Sequence, residues 1–377
     1  MDKPFVCGIK LRAYPTPEQI VFFDLNFEAC RLANNLAIEM WENAYQAGEK
    51  CGYNVISKQM TKLKKTEEYN IMKEADAVAI QQSVKNVDRG YQNYFQFHAE
   101  KPKIKEKRHK KSYRTYNQGN SIRIENNRVR LPKIGEVKVK IPKNNPRLQQ
   151  YTHISYATVT KTSSGKYFIT LNVEFEPENR VNEGGEVGID TGIKYYFTES
   201  NGKVVANPRF LEKELKKLAI EKSKRSKMQK GSNNFKKQNE KIAKIYEKIS
   251  GRRNQFLHEE SARLLRENQT ICIEDMGIHK LITDNQGNRY STAISSAGWG
   301  KFYRMLNYKA AWYGNDVIKI PKYYPSSQIC SVCGYKNPEI KDPEIRVWKC
   351  GICGTEHNRD LNAAINILKK GLESKDE

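Results

Sequence analysis

Two Cys-x-x-Cys knuckles, Cys330/Cys333 and Cys350/Cys353, stand 16 residues apart near the end of this 377-residue chain. No other feature narrows its fold so far. Two such knuckles supply four thiolates at the spacing of a zinc ribbon, in which one Zn²⁺ takes four sulfur ligands tetrahedrally. Two disulfides would need an oxidising compartment, and nothing else in the chain points to one. A four-thiolate site leaves no open coordination position, so the metal is expected to fold the ribbon and do no chemistry. The remaining cysteines, Cys7, Cys30, Cys51 and Cys272, lie scattered among apolar neighbours and read as core residues.

Charge supplies the next constraint. Lys and Arg number 66 against 43 Asp and Glu, a formal charge of +23. A field of that sign suits a polyanion, either nucleic acid or an anionic membrane. No apolar run approaches the ~18 residues that a spanning helix needs. The opening residues also lack the basic and apolar regions of a signal peptide. The expected setting is therefore reducing and intracellular, and the expected polyanion is nucleic acid.

Periodicity gives the order of elements. Residues 4–13 read as a strand that ends at Tyr14-Pro15-Thr16-Pro17, and a helix follows to about Ala47. More helix is expected between Ser57 and His98, where Ile80, Val84, Val87, Tyr91 and Tyr94 recur at three and four. The run 101–117 then holds eight Lys or Arg and a single Glu. Its Lys107, Arg108, Lys110, Lys111, Tyr113 and Arg114 interleave charge with rings, as phosphate contact and base stacking require. From 121 to 177 the period changes to two, which predicts a small antiparallel barrel or sheet. The first strand is expected to join it, making the helical block an insertion. After a polar linker at 178–185 come three strands, then a lysine-rich helical hairpin broken at 230–234. The strand TICIED, a helix near 298–312 and the strand DVIKIP complete an α/β layout.

Three acids stand where these elements end. Asp190 closes the EVGID strand, Glu274 closes TICIE, and Asp360 opens the last helix. Singly they read as a turn residue, an exposed strand end and a helix N-cap. Together, in a basic chain, they suit two divalent metals that clamp the attacking and leaving oxygens of a phosphodiester. The residues alone leave a two-metal nuclease and a nucleic-acid-binding protein both open. With six histidines and no Gly-x-Ser-x-Gly pattern, a hydrolase triad has no support. His279 and His357 read as loop or phosphate-contacting residues.

The segments RAYPTPEQ, AIQQSVKNVDRGYQNYF, GIDTGIKYYFT, ICIEDM, GWGKFYRMLNYKAAWYG, YYPSSQICSVCG and HNRDLNAAINI resemble the TnpB family. These are the RNA-guided nucleases of bacterial insertion sequences, relatives of the compact type V CRISPR effectors. The resemblance implies an α+β multidomain chain. A wedge-type β-barrel (1–16 and 117–182) would carry a helical recognition insertion (17–116). An RNase H-like (RuvC) α/β nuclease domain (185–377) would follow, with the zinc ribbon (326–356) inserted in it. The family's catalytic acids fall on Asp190, Glu274 and Asp360, which would hold two Mg²⁺, and its active-site arginine falls on Arg359. Its ribbon ligands fall on Cys330, Cys333, Cys350 and Cys353, for one structural Zn²⁺. Tyr53, Ser57 and Gln81, with Lys85 beside them, lie in segments resembling those that face the duplex next to the target. The implied partners are a guide RNA, double-stranded DNA and the displaced single strand, with no membrane. The implied form is a monomeric ribonucleoprotein in the bacterial cytoplasm, associated with the nucleoid. A nuclease-inactive RNA-guided repressor, a CRISPR-associated type V effector and a strand-transfer transposase are the alternatives. The intact acids argue against the first.

Overall fold

The turn Tyr14-Pro15-Thr16-Pro17 separates strand β1 (Phe5–Tyr14) from helix α1 (Pro17–Gln46). Thr16 caps that helix: its hydroxyl accepts from the Gln19 N–H, and the Gln19 side chain accepts from the Thr16 N–H at 3.1 Å. This is a capping box with proline in the first turn, legible in the sequence PTPEQ. The computed structural model describes residues 4–107, 111–142, 146–176, 184–275, 277, 283, 289–342 and 344–376. The chain divides into two compact units, Met1–Glu176 and Pro177–Glu377.

In the first unit β1 joins β2 (Lys111–Tyr116), β3 (Arg123–Glu125), β4 (Arg128–Leu131), β5 (Gly135–Lys140), β6 (Tyr151–Lys161) and β7 (Tyr167–Phe175). They form an antiparallel sheet in the order β2-β6-β7-β1-β5-β4-β3. Alternation decides which side chains turn inward. Cys7, Ile9 and Leu11 of β1 stand opposite Val173, Leu171 and Ile169 of β7, and all six are buried. The described ladder is open, with β2 and β3 at its edges, so the expected barrel is a half-barrel. The sheet also begins earlier than expected. Lys111–Tyr116, read as the end of the helical insertion, pairs with β6.

Helix α1 lays Phe23 and Phe27 over this sheet, with the Phe23 ring stacked on Tyr167 at 5.7 Å. Helices α2 (Tyr53–Leu63) and α3 (Ala77–Phe97) pack beside α1. Asn26, fully buried in α1, accepts from the Asp76 N–H at 2.9 Å. Asp76 in turn caps α3 by accepting from Val78 N and Ala79 N. One satisfied polar pair thus fixes α3 against α1.

The second unit holds β8 (Gly185–Thr191), β9 (Tyr195–Glu199), β10 (Val204–Ala206), β11 (Asn268–Glu274) and β12 (Asp316–Ile320). The order is β10-β9-β8-β11-β12; β8, β11 and β12 run parallel, and β9 and β10 form an antiparallel hairpin. Between β10 and β11 rises a hairpin of α4 (Phe210–Ser226) and α5 (Asn233–Glu267), with its own small core of Leu218, Ile242, Ile245 and Ile249. Helices α6 (Arg289–Ala297) and α7 (Trp299–Tyr313) precede β12. Phe302 of α7 packs on Tyr196 and Phe197 in the main core. The ribbon pairs β13 (Val347–Lys349) with β14 (Glu356–Asn358) and runs directly into α8 (Arg359–Asp376).

Helix α8 lies against the sheet at two glycines. A Cβ on Gly188 would meet the Ala364 carbonyl oxygen at 2.2 Å, and one on Gly371 would meet Cys272 Sγ at 2.3 Å. Because Gly188 faces backbone, it has no flexible neighbour to yield. Gly188→Ala is therefore expected to cost about 3 kcal/mol or more by overpacking. That corresponds to a drop of roughly 6–12 °C in Tm, checked by thermal melting. An unchanged Tm would show that the helix can lift off the sheet.

Candidate active site

The strand β8 delivers buried Val187 and Ile189 to the core and ends in Asp190-Thr191. Beside it β11 runs parallel, with Ile273 opposite Ile189. One residue further along both strands stand Asp190 and Glu274, side by side at the carboxyl edge of the sheet. The third acid arrives on α8. Asp190 lies two residues, ~6.6 Å, beyond Gly188, and Asp360 lies four residues, ~6 Å, before Ala364, which touches it.

Electrostatics report the same convergence. Burial, then the charge of Asp360, then that of Glu274, push the Asp190 carboxyl well above the ordinary carboxylate range. Arg359 and Arg346 pull it back in part. Burial also raises Glu274, helped by Asp275. Asp360 is not the helix cap. Asn358 Oδ1 accepts from both Asp360 N and Leu361 N at 3.1 Å, which leaves the Asp360 carboxylate free of that duty. It pairs instead with Arg346 at 3.1 Å.

Two of these neighbours escaped sequence reasoning. Arg346 is a lone arginine between the knuckles, with no periodic or spacing signal to mark it. Tyr303, buried in α7, has its hydroxyl 2.9 Å from Thr191 Oγ1, directly after Asp190. Burial first, and then the charges of Glu274, Asp190 and Asp275, raise the Tyr303 hydroxyl, whereas its hydrogen bond with Thr191 lowers it. Arg359 lies in the same neighbourhood, but its guanidinium donates to the Asp342 carbonyl and to Ser327 Oγ. Those bonds fasten the start of α8 to the ribbon.

The four cysteines converge as their spacing predicts, with all four Sγ atoms within 4.8 Å of one another. The pairs Cys330–Cys353 and Cys333–Cys350 lie at 3.6 Å. A tetrahedral Zn²⁺ with ~2.3 Å bonds would space its sulfurs by ~3.8 Å, so the residues fit the ion. Hydrogen bonding from Thr355 lowers the Cys353 thiol to about 6, toward the thiolate that zinc requires. Among the described residues, the three carboxylates do not close to the spacing of the cysteines. His357 corrects its expected role as a loop or phosphate-contacting residue. It is buried, its Nε2 lies 3.0 Å from Cys330 Sγ, and its ring packs on Trp348. Its place on β14 opposite Trp348 turns it into the ribbon core.

The expected nucleic-acid contacts divide. Tyr53 and Lys85 come together from α2 and α3, the ammonium 5.0 Å over the ring. Ser57 lies one turn beyond Tyr53 and is half-buried, while Gln81 is exposed one turn before Lys85. Lys107 is exposed, Lys111 pairs with Asp24 at 3.3 Å, and Arg114 stacks 4.3 Å over the Tyr156 ring. Tyr113 is a correction. It points inward from β2, buried at 5% exposure between Phe23 and Phe27, and cannot stack on a base. Alternation within a strand turned it to the core. Arg108, Lys110 and His279 lie outside the described residues.

A protein of Streptomyces pristinaespiralis named "Putative RNA-guided DNA endonuclease" is 33% identical over 366 residues, covering 97% of this chain and 89% of that protein. The chain belongs to the TnpB family. InsQ of Escherichia coli K12, which bears the same designation, is 29% identical over 357 residues, 91% of this chain and 87% of its own. Further relatives are named TnpB-like proteins. Family models match three stretches: "Cas12f1-like, TNB domain" at 299–367, "Probable transposase" at 169–285 and "Helix-turn-helix domain" at 7–50. In this TnpB member the last stretch is β1 followed by one unbroken helix, Pro17–Gln46, without an internal turn. A solved Cas12f1–sgRNA–target DNA complex matches with a TM-score of 0.54 at 13% identity, covering 97% of this chain and 98% of that one. At that identity the likeness speaks to the fold, a mixed α+β architecture.

Proposed function

We propose that the chain is an RNA-guided DNA endonuclease with Asp190, Glu274 and Asp360 as its catalytic centre. The convergence of these three acids from β8, β11 and α8 carries the reading. The names of its relatives support the activity, and the RNA and DNA held by the Cas12f1 complex support guide RNA and target DNA as partners. In this reading the protein grips the guide–target heteroduplex through its backbone and shape, and base pairing supplies the sequence. Residues 185–377, within the second unit, are then a RuvC-like nuclease domain, and the first unit a wedge with a helical recognition insertion. Among the described residues no helix is long and apolar enough to cross a membrane.

Three hard oxygen donors, two of them with raised proton affinity, fit a pair of Mg²⁺ ions. Bound there, such ions supply activation of water and stabilisation of the leaving oxygen. The protein's own part is positional. Asp190 and Glu274 are fixed by the parallel ladder, and Asp360 is held by the Asn358 cap and the Arg346 ion pair. Tyr303 steadies the end of β8 through Thr191. The basic face of the α4–α5 hairpin offers lysines to nucleic-acid phosphates.

The test is to express the protein with its native flanking DNA, sequence the RNA that co-purifies, and present a matching duplex with Mg²⁺. A discrete RNA and guided, EDTA-sensitive cuts are expected. A discrete RNA with binding but no cleavage would favour the repressor. Joining of DNA ends without RNA would favour a transposase.

A further inference from the structure

We propose that the turn following β12, Pro321–Tyr324, is a stacking platform on which Tyr323 holds a nucleobase of the strand entering the carboxylate site. The proposal rests on the nucleic-acid reading above and adds a named substrate contact to it. The Tyr324 N–H donates to the Pro321 carbonyl at 3.2 Å and closes the turn. Its third residue, Tyr323, has a φ of +73°, and Lys322 before it has no such positive φ. That is the pattern of a type II turn, whose third position belongs by default to glycine. A tyrosine there bears left-handed strain, and strain of this kind clusters at sites that hold ligands. Packing does not compensate it. Tyr323 is 74% exposed, whereas Tyr324 packs on Cys272, Ile320 and Ile367.

Position and charge indicate what the ring is for. Ile320, the last residue of β12, stands opposite Glu274 in the parallel ladder. The turn therefore leaves the sheet at the same carboxyl edge as the acids, one strand spacing of ~4.8 Å to the side. Lys322 marks the proximity directly. A Cβ on Gly277, three residues beyond Glu274, would meet the Lys322 Nζ at 2.8 Å. The same ammonium lies 5.1 Å from the centre of the Tyr323 ring. An open aromatic face thus stands beside a positive charge, next to acids that by themselves repel phosphate. Such a face takes any base by stacking, and a lysine takes the adjoining phosphate. Tyr323 is three residues past Ile320, at most ~11 Å along the chain. That is about three base rises of ~3.4 Å, so the base it holds lies within about three nucleotides of the cut.

The test uses the full chain as purified, in EDTA, with a DNA single strand of about nine nucleotides carrying one photoreactive iodinated uracil. Irradiation is expected to join the strand to Tyr323, identified by mass spectrometry of the digested product. Tyr323→Gly should lose that link. Glycine suits the turn, so the variant should melt no lower than wild type. In guided cleavage it should cut about tenfold more slowly, and Tyr323→Phe, which restores a ring, should recover most of the loss. An abasic nucleotide within about three positions of the cut should slow wild type about tenfold and slow Tyr323→Gly no further. A strand that never links to Tyr323 would overturn the proposal. So would a folded Tyr323→Gly that cuts at the wild-type rate. Cross-linking at Tyr323 without guided cleavage would defeat only the nuclease reading, and guided cleavage indifferent to Tyr323→Gly only this one.

Discussion

Asp190→Asn is expected to lower guided cleavage by at least ~10³-fold, about 4 kcal/mol of transition-state stabilisation, while guide and target binding persist. The side chain keeps its shape and loses the charge that, with Glu274 and Asp360, makes the site a cation trap. The same substitution should make the metal-free protein more stable. The Asp190 carboxyl is raised above its ordinary value of 3.8 by burial, then by Asp360 and Glu274. A raised carboxylate pKa means that folding favours the protonated form. As pH climbs from 3.8 through the folded value, a charge is forced into a repulsive site and stability falls. Asparagine escapes that cost. In EDTA at neutral pH the variant should therefore melt higher, by ~2–4 °C for each kcal/mol relieved. The gain should vanish once the pH falls below the ordinary carboxylate value. Cleavage assays and melting curves from pH 3 to 8, a span of about five units around that value, check both halves. A variant that cuts like wild type would remove Asp190 from the centre, and one that melts lower would show that its charge is satisfied by the fold.

Removal of zinc is expected to be equally severe. The ribbon's own core is Cys330, Ile340, Trp348 and Cys350 with Ile345 against it, too little apolar surface to fold alone. In the zinc-ribbon reading, metal binding supplies that folding energy. The loss would travel, because Arg359 N donates to the Arg346 carbonyl and the Arg346 side chain holds Asp360. Cys350→Ser, or prolonged treatment with a strong chelator, should reduce zinc from about one per chain to a small fraction. Cleavage should fall by about 10²-fold or more, with the rest of the second unit still folded. Elemental analysis, circular dichroism and cleavage rates measure the three quantities. Full activity in a zinc-free protein would separate the ribbon from the acids proposed as the catalytic centre.

Much of this was written in local pattern. The Thr16-Pro17-Gln19 cap, the alternation of β1 and β7 and the break at 230–234 depend on neighbours in sequence, so their elements could be read there. The knuckles were legible for the same reason, since a four-thiolate site is specified by two short spacings. Tyr113 was misread because a basic run masked its place in a strand, where position alone turns a ring inward. His357 was misread because only its partner strand shows which way it faces.

The sequence by itself marked the candidate residues: four thiols at ribbon spacing, and three acids at the ends of apolar elements in a basic chain. Only the tertiary structure decided how they meet. Asp190 and Asp360 are 170 positions apart, and their encounter depends on strand register and on a helix seated over Gly188. The same holds for Tyr303 on Thr191, 112 positions apart. Arg346 lies only 14 positions before Asp360, yet the second knuckle stands between them, and no helical or strand period encodes their pairing.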